Sequence, residues 1–182
     1  MILPIYTYGS LVLREVAKEV DLKMEGLSQL LTDMHETMKH AEGVGIAAPQ
    51  VGKSLRILIV DGTELGEDYP NLTKFIRFMI NPVVLFESEE TADYSEGCLS
   101  VPDVRADVTR PAKIRVKYIN EKFQEVEEEF DGFACRMVEH ELDHLNGKMF
   151  VDRVSPLRKK LIGGKLRRIE RDEVRTRYRT AK

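Results

Sequence analysis

Residues 113–145 read KIRVKYINEKFQEVEEEFDGFACRMVEHELDHL, and this stretch sets the architecture. Residues 113–119 and 125–130 carry apolar and polar side chains in alternation, or β-branched ones, the period-two pattern of half-buried strands. Residues 132–145 then read as a helix. Working outward, a second helix fits residues 25–41, where Leu27, Leu30, Leu31, Met34 and Met38 recur at helical intervals and mark a core face. Further strands are expected at 55–60 and 79–86. The polar segment 61–77, with Gly62, Gly66, Pro70 and Asn71, reads as a surface loop without assigned function. Strands feeding a helix in this order predict an α+β fold, with antiparallel strands packed around a central helix and a further helix at the C-terminus.

The central helix carries His140-Glu141-Leu142-Asp143-His144. On a helix the two imidazoles lie about 40° apart, with Glu141 within about one turn's reach of both. Imidazoles at that spacing bind a divalent metal, and the carboxylate beside them can take a proton from a metal-bound water. That combination is the machinery of metal-assisted hydrolysis. A bare match of this kind also occurs on wet helix faces, so the third ligand decides. Metalloproteases that extend the motif to H-E-x-x-H-x-x-G-x-x-H place a histidine where this chain has Phe150, although Gly147 is in register. Glu170 and Glu173 sit among arginines and read as solvated charges. His35 and His40 diverge by about 140° on a helix, which suits surface or partly buried positions rather than a metal pair. Cys135 would point about 140° and 180° away from the two histidines on their own helix, and reads as a small apolar residue. Cys98 lies instead in Tyr94-Ser95-Glu96-Gly97-Cys98-Leu99-Ser100-Val101-Pro102, where glycine and proline predict a loop that can deliver a thiolate to a site.

Glu96-Gly97-Cys98-Leu99-Ser100, the run His140 to His144, and Gly43-Val44-Gly45-Ile46-Ala47-Ala48-Pro49-Gln50-Val51-Gly52 together resemble the three signature segments of the peptide deformylase family. The similarity runs from the N-terminus through Ser155-Pro156-Leu157. The resemblance implies a metal held by Cys98, His140 and His144 with water in the fourth position, usually ferrous iron, with zinc, nickel or cobalt as alternatives. It implies removal of the formyl group from the N-terminal methionine of newly made polypeptides, releasing formate. Glu141 would accept the proton of the attacking water and pass it to the departing amine. The Gln50 side-chain amide and the Leu99 backbone N–H would donate to the formyl oxygen as it gains charge. Taken without the resemblance, Gln50 reads as a loop-capping amide. Val44, Gly45 and Ile46 would pair with the peptide backbone as an added strand, helped by the small side chains around them. A methionine pocket would involve Tyr94, Phe133, Met137 and Leu99. Phe133 and Met137 share the His140 face of the helix and serve a core wall equally well. Glu96 would pair with Arg110 and steady the Cys98 segment.

A chain of 182 residues is expected to form one catalytic domain, residues 1–182, including a basic C-terminal helix over 153–182. It has no apolar run of about 18 residues, and the start at Met1 to Ile5 has no charged-then-apolar leader, so no membrane partner is expected. Two cysteines make no disulfide framework and suggest a reducing compartment, hence a cytoplasmic location that also suits ferrous iron. Charge is uneven. Residues 153–182 hold twelve Lys/Arg against three Asp/Glu in a chain of net charge −3. Such a segment can bind phosphate backbones, and family members often end in a helix that docks on the ribosome, so ribosomal RNA is the expected partner, with a merely solvated basic helix as the alternative. No aromatic-basic constellation supports sequence-specific nucleic-acid reading. Two other functions compete: a general endopeptidase lacks its downstream third ligand here, and a non-catalytic binder of nascent chains predicts loss of Glu141, Cys98 or Gln50, all of which are present.

Overall fold

The computed structural model describes residues 1–182. In chain order the elements are β1 (Ile5–Tyr6), α1 (Leu27–His40), β2 (Gly45–Ala47), β3 (Ile57–Asp61), β4 (Ile76–Glu87), β5 (Thr91–Cys98), β6 (Val101–Pro111), β7 (Lys113–Ile119), β8 (Glu125–Asp131), α2 (Gly132–Leu145), α3 (Pro156–Glu170) and β9 (Thr180–Ala181). The fold is α+β, as the order of patterns predicts.

Strands β2-β3-β4-β7-β8 form an antiparallel sheet in that order. All five residues of β3 are buried because both faces of the sheet are covered. Ile57 and Ile59 point to the side packed by Leu27, Leu31, Met34 and Met38 of α1, whereas Leu58 and Val60 point to the side packed by Met137, Val138 and Leu142 of α2. The period of two along the strand assigns alternate side chains to two cores. Twelve of the fourteen residues of α2 are buried, so this helix runs through the interior and carries its charged residues with it.

The largest departure from the sequence pattern is the hairpin of β5 and β6, which pairs outside the main sheet from Thr91↔Pro111 to Gly97↔Arg105. Residues 94–102, expected as a loop, are the end of β5, a tight turn at Leu99-Ser100 and the start of β6. The pattern conceals the strands because the inward row Val104, Ala106, Val108 ends in the buried charge Arg110, and Glu96 on β5 is buried too. The hairpin packs through Val104 and Val108 onto Leu13, Phe150, Ile162 and Leu166.

The basic helix is also shorter than the expected 153–182. Ser155 caps it by accepting the Arg158 N–H at 3.2 Å, Pro156 occupies its first position, and it ends at Glu170. Asp172 takes a left-handed conformation (φ 60°), and the remaining residues turn back to pair β9 with β1 in parallel. Lys182 Nζ donates to the carbonyls of Ile169 (2.6 Å) and Tyr8 (2.7 Å), placing a cation on the C-terminal end of α3. Segment 61–77 is anchored rather than merely superficial: it forms turns at Thr63–Leu65 and Pro70–Leu72, and Leu72 and Phe75 enter the α2 core. No helix is long and apolar enough to cross a membrane.

Candidate active site

Helix α2 presents His140 and His144, and the end of β5 brings Cys98 to them. One donor atom from each lies within 4.8 Å of the others, with Cys98 Sγ 3.3 Å from His144 Nε2. A soft thiolate and two imidazoles are a donor set for iron, zinc, nickel or cobalt, and three protein ligands leave a coordination position open. Burial opposes a charge on His140, but hydrogen bonds to Cys98 and Glu96 outweigh it and raise its pKa. His144 is instead held neutral, its pKa lowered to about 3 by burial and then by His140. Its Nδ1 is buried without a protein partner, which leaves Nε2 directed at Cys98.

A chain of buried charges fixes this geometry. His140 Nδ1 lies 2.7 Å from Glu96 Oε1, which orients the ring so that Nε2 faces the site. Glu96 also accepts from Arg110 Nε (2.7 Å), Arg110 Nη2 (2.9 Å) and Arg136 Nη1 (2.7 Å). Arg110 Nη1 continues to Asp143 at 2.7 Å, and Arg153 donates twice to the same carboxylate, at 2.6 and 2.8 Å. Burial alone would raise the pKa of Glu96, but His140 and Arg110 hold it well below the usual carboxylate range. Phe150, at the place of the protease's extra histidine, is fully buried and stacks on the His140 ring with centroids 5.9 Å apart. It buttresses the ring of a candidate ligand and offers no donor atom of its own.

Glu141 is buried beside the donors, with Oε1 3.9 Å from His140 Nε2 and Oε2 unpartnered. Burial lifts its pKa to about 7. Gln50 caps its own loop, as expected of a loop-capping amide, and its other amide atom faces the Cys98 turn. Its Oε1 accepts the Ala47 N–H at 2.9 Å, and this fixes Nε2 to point at Ser100 Oγ (3.1 Å) and Cys98 Sγ (3.5 Å). Strand β2 is the sheet edge, paired only with β3. Val44 O accepts from Asp61 N, so the antiparallel alternation turns the Gly45 N–H and C=O to the open side. Ile46 faces the other way: its backbone falls at a position bonded to β3, and its side chain is fully buried against α1. A Cβ on Gly45 would lie 2.6 Å from Glu141 Oε1, and one on Gly43 would lie 2.6 Å from Leu99 Cδ1, so both glycines permit close contact across the site.

Gly45, Cys98, His140 and Glu141 line one cleft of about 1050 Å³ together with Val44, Leu99, Phe133 and Met137, among others, while His144 and Gln50 are buried and do not line it.

A family model described as polypeptide deformylase matches residues 2–160. Peptide deformylases from Cytophaga hutchinsonii and Chlorobium phaeobacteroides are 41% and 44% identical, covering 98% and 100% of this chain and 96% of each relative. The crystal structure of a peptide deformylase from Legionella pneumophila, 35% identical, superposes with a TM-score of 0.83 over 97% of this chain and 99% of that one. The chain belongs to the polypeptide deformylase family. The reaction of a peptide deformylase is hydrolysis of the N-formyl group on nascent peptides, and the Cys98, His140 and His144 cluster is where a deformylase metal fits.

Within this deformylase fold, the expected methionine pocket is drawn differently. Tyr94 does not line the cleft; it packs edge-on against Phe133 (5.5 Å) from behind, with the Arg136 guanidinium over its ring. Leu65, from the segment given no function, does line it, and Tyr69 stacks on Phe133 at 4.7 Å. Sequence reading also missed Arg136, Asp143 and Arg153, which complete the charge chain, and Ser100, which receives Gln50. Asp143 was visible inside the histidine motif, but its partners Arg110 and Arg153 come from two other segments. The tail residues Arg175 to Tyr178, read as part of a helix, form one wall of the cleft.

Proposed function

We propose that Cys98, His140 and His144 hold one divalent metal, ferrous iron in the cell, and that Glu141, Gln50 and Leu99 carry out deformylation around it. The observation that carries this reading is the unpartnered Glu141 Oε2 buried beside three converging donor atoms, two of them from residues that line the same cleft. The metal, when bound, supplies the Lewis acidity that polarises the formyl carbonyl and makes water acidic enough to attack near neutral pH. Glu141 takes the proton of the attacking water and returns it to the departing amine nitrogen as the formamide C–N bond breaks, giving formate and a free N-terminus. A carboxyl lifted to about 7 suits both transfers. Gln50 Nε2 and the Leu99 N–H donate to the formyl oxygen as it becomes an oxyanion. A donor fixed in advance, as Gln50 is by Ala47, loses little in reorganisation. The open edge at Gly45 binds the backbone of the first residue, and Leu99, Phe133, Met137 and Leu65 enclose the methionine side chain.

The same donor set accepts zinc, nickel and cobalt, and a half-buried thiolate beside ferrous iron is open to oxidation, which favours a reducing cytoplasm. Residues 1–182 act as one catalytic unit: β1 and β9 join the two ends, and the tail reaches the cleft. Helix α3 exposes Leu157 and Leu161 together with Lys159, Lys160 and Arg167, a surface suited to ribosomal RNA near the nascent-chain exit. Changing Glu141 to Ala tests the assignment of roles. Turnover is lost while metal content, measured by elemental analysis, stays at one per chain; loss of the metal as well would make Glu141 a ligand and overturn its role as proton carrier.

A further inference from the structure

The tail from Arg175 to Tyr178 walls the cleft opposite Glu42 and Gly43, yet deformylation as described makes no use of it. It is not a loose end. Tyr178 Oη donates to the Leu99 carbonyl at 2.6 Å, Ile5 N–H donates to the Arg179 carbonyl at 2.9 Å, and Thr7 N–H donates to the Ala181 carbonyl at 3.2 Å. Together with the Lys182 contacts on α3, these bonds hold the tail beside the turn that carries Cys98 and Leu99.

A second depression of about 480 Å³ adjoins the cleft, with Pro102, Asp103 and Arg175 lining both. Its charges are uneven. The outer cleft carries Arg105, Arg175 and Arg177, and the second depression adds Lys165 and Arg168. Against these stand Glu42, Asp103 and Glu173, so this stretch of surface is positive in a chain whose net charge is −3. Arg177 reaches Glu42 across the cleft mouth at 3.5 Å, but the two side chains are 91% and 75% exposed. A pair so well solvated is weak and exchanges readily for another carboxylate.

We propose that this tail reads the substrate beyond its first residue, with Arg175 and Arg177 favouring peptides that carry acidic side chains after the formyl-methionine. The inference rests on the deformylase reading, because a formylated N-terminus held at Glu141 leaves the following residues to exit a cleft that Arg175 and Arg177 also line. Tyr178 is the positioning residue that holds the wall in place.

The experiment compares kcat/KM for formyl-Met-Ala-Glu and formyl-Met-Ala-Lys, both amidated at the C-terminus, using metal-loaded full-length protein. The expected preference for the glutamate peptide is about five-fold, the size of two solvent-screened ion pairs, and it shrinks toward one in 0.5 M salt. The double change Arg175→Glu/Arg177→Glu should invert the ratio. Glu42→Gln, on the opposite wall, should raise it by removing the competing carboxylate. A wild-type ratio near one, or a ratio that neither variant moves, overturns the proposal. Absence of formate from both peptides would overturn the deformylase reading beneath it.

Discussion

At the residue scale, Gly45 shows how closely the site is built. No Cβ can stand there without meeting Glu141 Oε1 at 2.6 Å. Gly45→Ala should therefore displace the carboxylate that moves the proton and narrow the edge where the peptide binds. An ångström of misplacement near the chemistry costs about 10²-fold. We expect kcat/KM to fall by about that factor while metal content and thermal midpoint change little; a variant with normal turnover would mean that Glu141 has room the packing denies it. The sequence made the candidate donors legible because Cys and His are few in this chain and His140 and His144 stand at helical spacing. It left Ile46 and Tyr94 misplaced, since which way a side chain on a strand points depends on the strand paired beside it.

At the element scale, α2 was legible to its end residues, while β5 and β6 were not. The helix announces itself by period, whereas the hairpin buries Glu96 and Arg110 among its inward residues and so breaks the alternation that reveals strands. Buried charge also shapes the stability of α2. Glu139 has its pKa raised to about 7, chiefly by burial, with Cys135 and Arg136 opposing the rise. The folded state therefore holds this proton more tightly than the unfolded chain does. Glu139 thus costs stability that is absent below about pH 4.5, grows as pH rises toward 7, and is fully present above it. From 4.5 to about 7, at about 1.4 kcal/mol per pH unit, the cost reaches about 3 kcal/mol. Glu139→Gln should stabilise the protein toward urea at pH 8 by up to that amount and leave it nearly unchanged at pH 4. Equal effects at both values would show that the carboxyl is ionised normally.

At the scale of the whole molecule, the charge division between the body and residues 153–182 was plain in the sequence, but its shape was not. The basic segment is a helix whose inner face, Ile162, Leu166 and Ile169, belongs to the core under the hairpin, followed by a tail that returns to the cleft. Removing it would expose that core, so docking is tested by surface charge instead. Lys160 and Arg167 are exposed on α3. Lys160→Glu/Arg167→Glu should weaken co-sedimentation with ribosomes and flatten its salt dependence without altering turnover of a free formyl peptide. Unchanged sedimentation would leave α3 a solvated helix.

The central claim is that the site formed by Cys98, His140, His144, Glu141 and Gln50 hydrolyses a formamide. The most direct measurement offers anaerobically purified, iron-loaded protein a formyl-methionyl peptide and its unformylated counterpart, and follows formate and new amine together. Formate and amine released in equal amounts from the first, with the second left intact, is the predicted result. No formate from the first, or cleavage of internal bonds in the second, would contradict it.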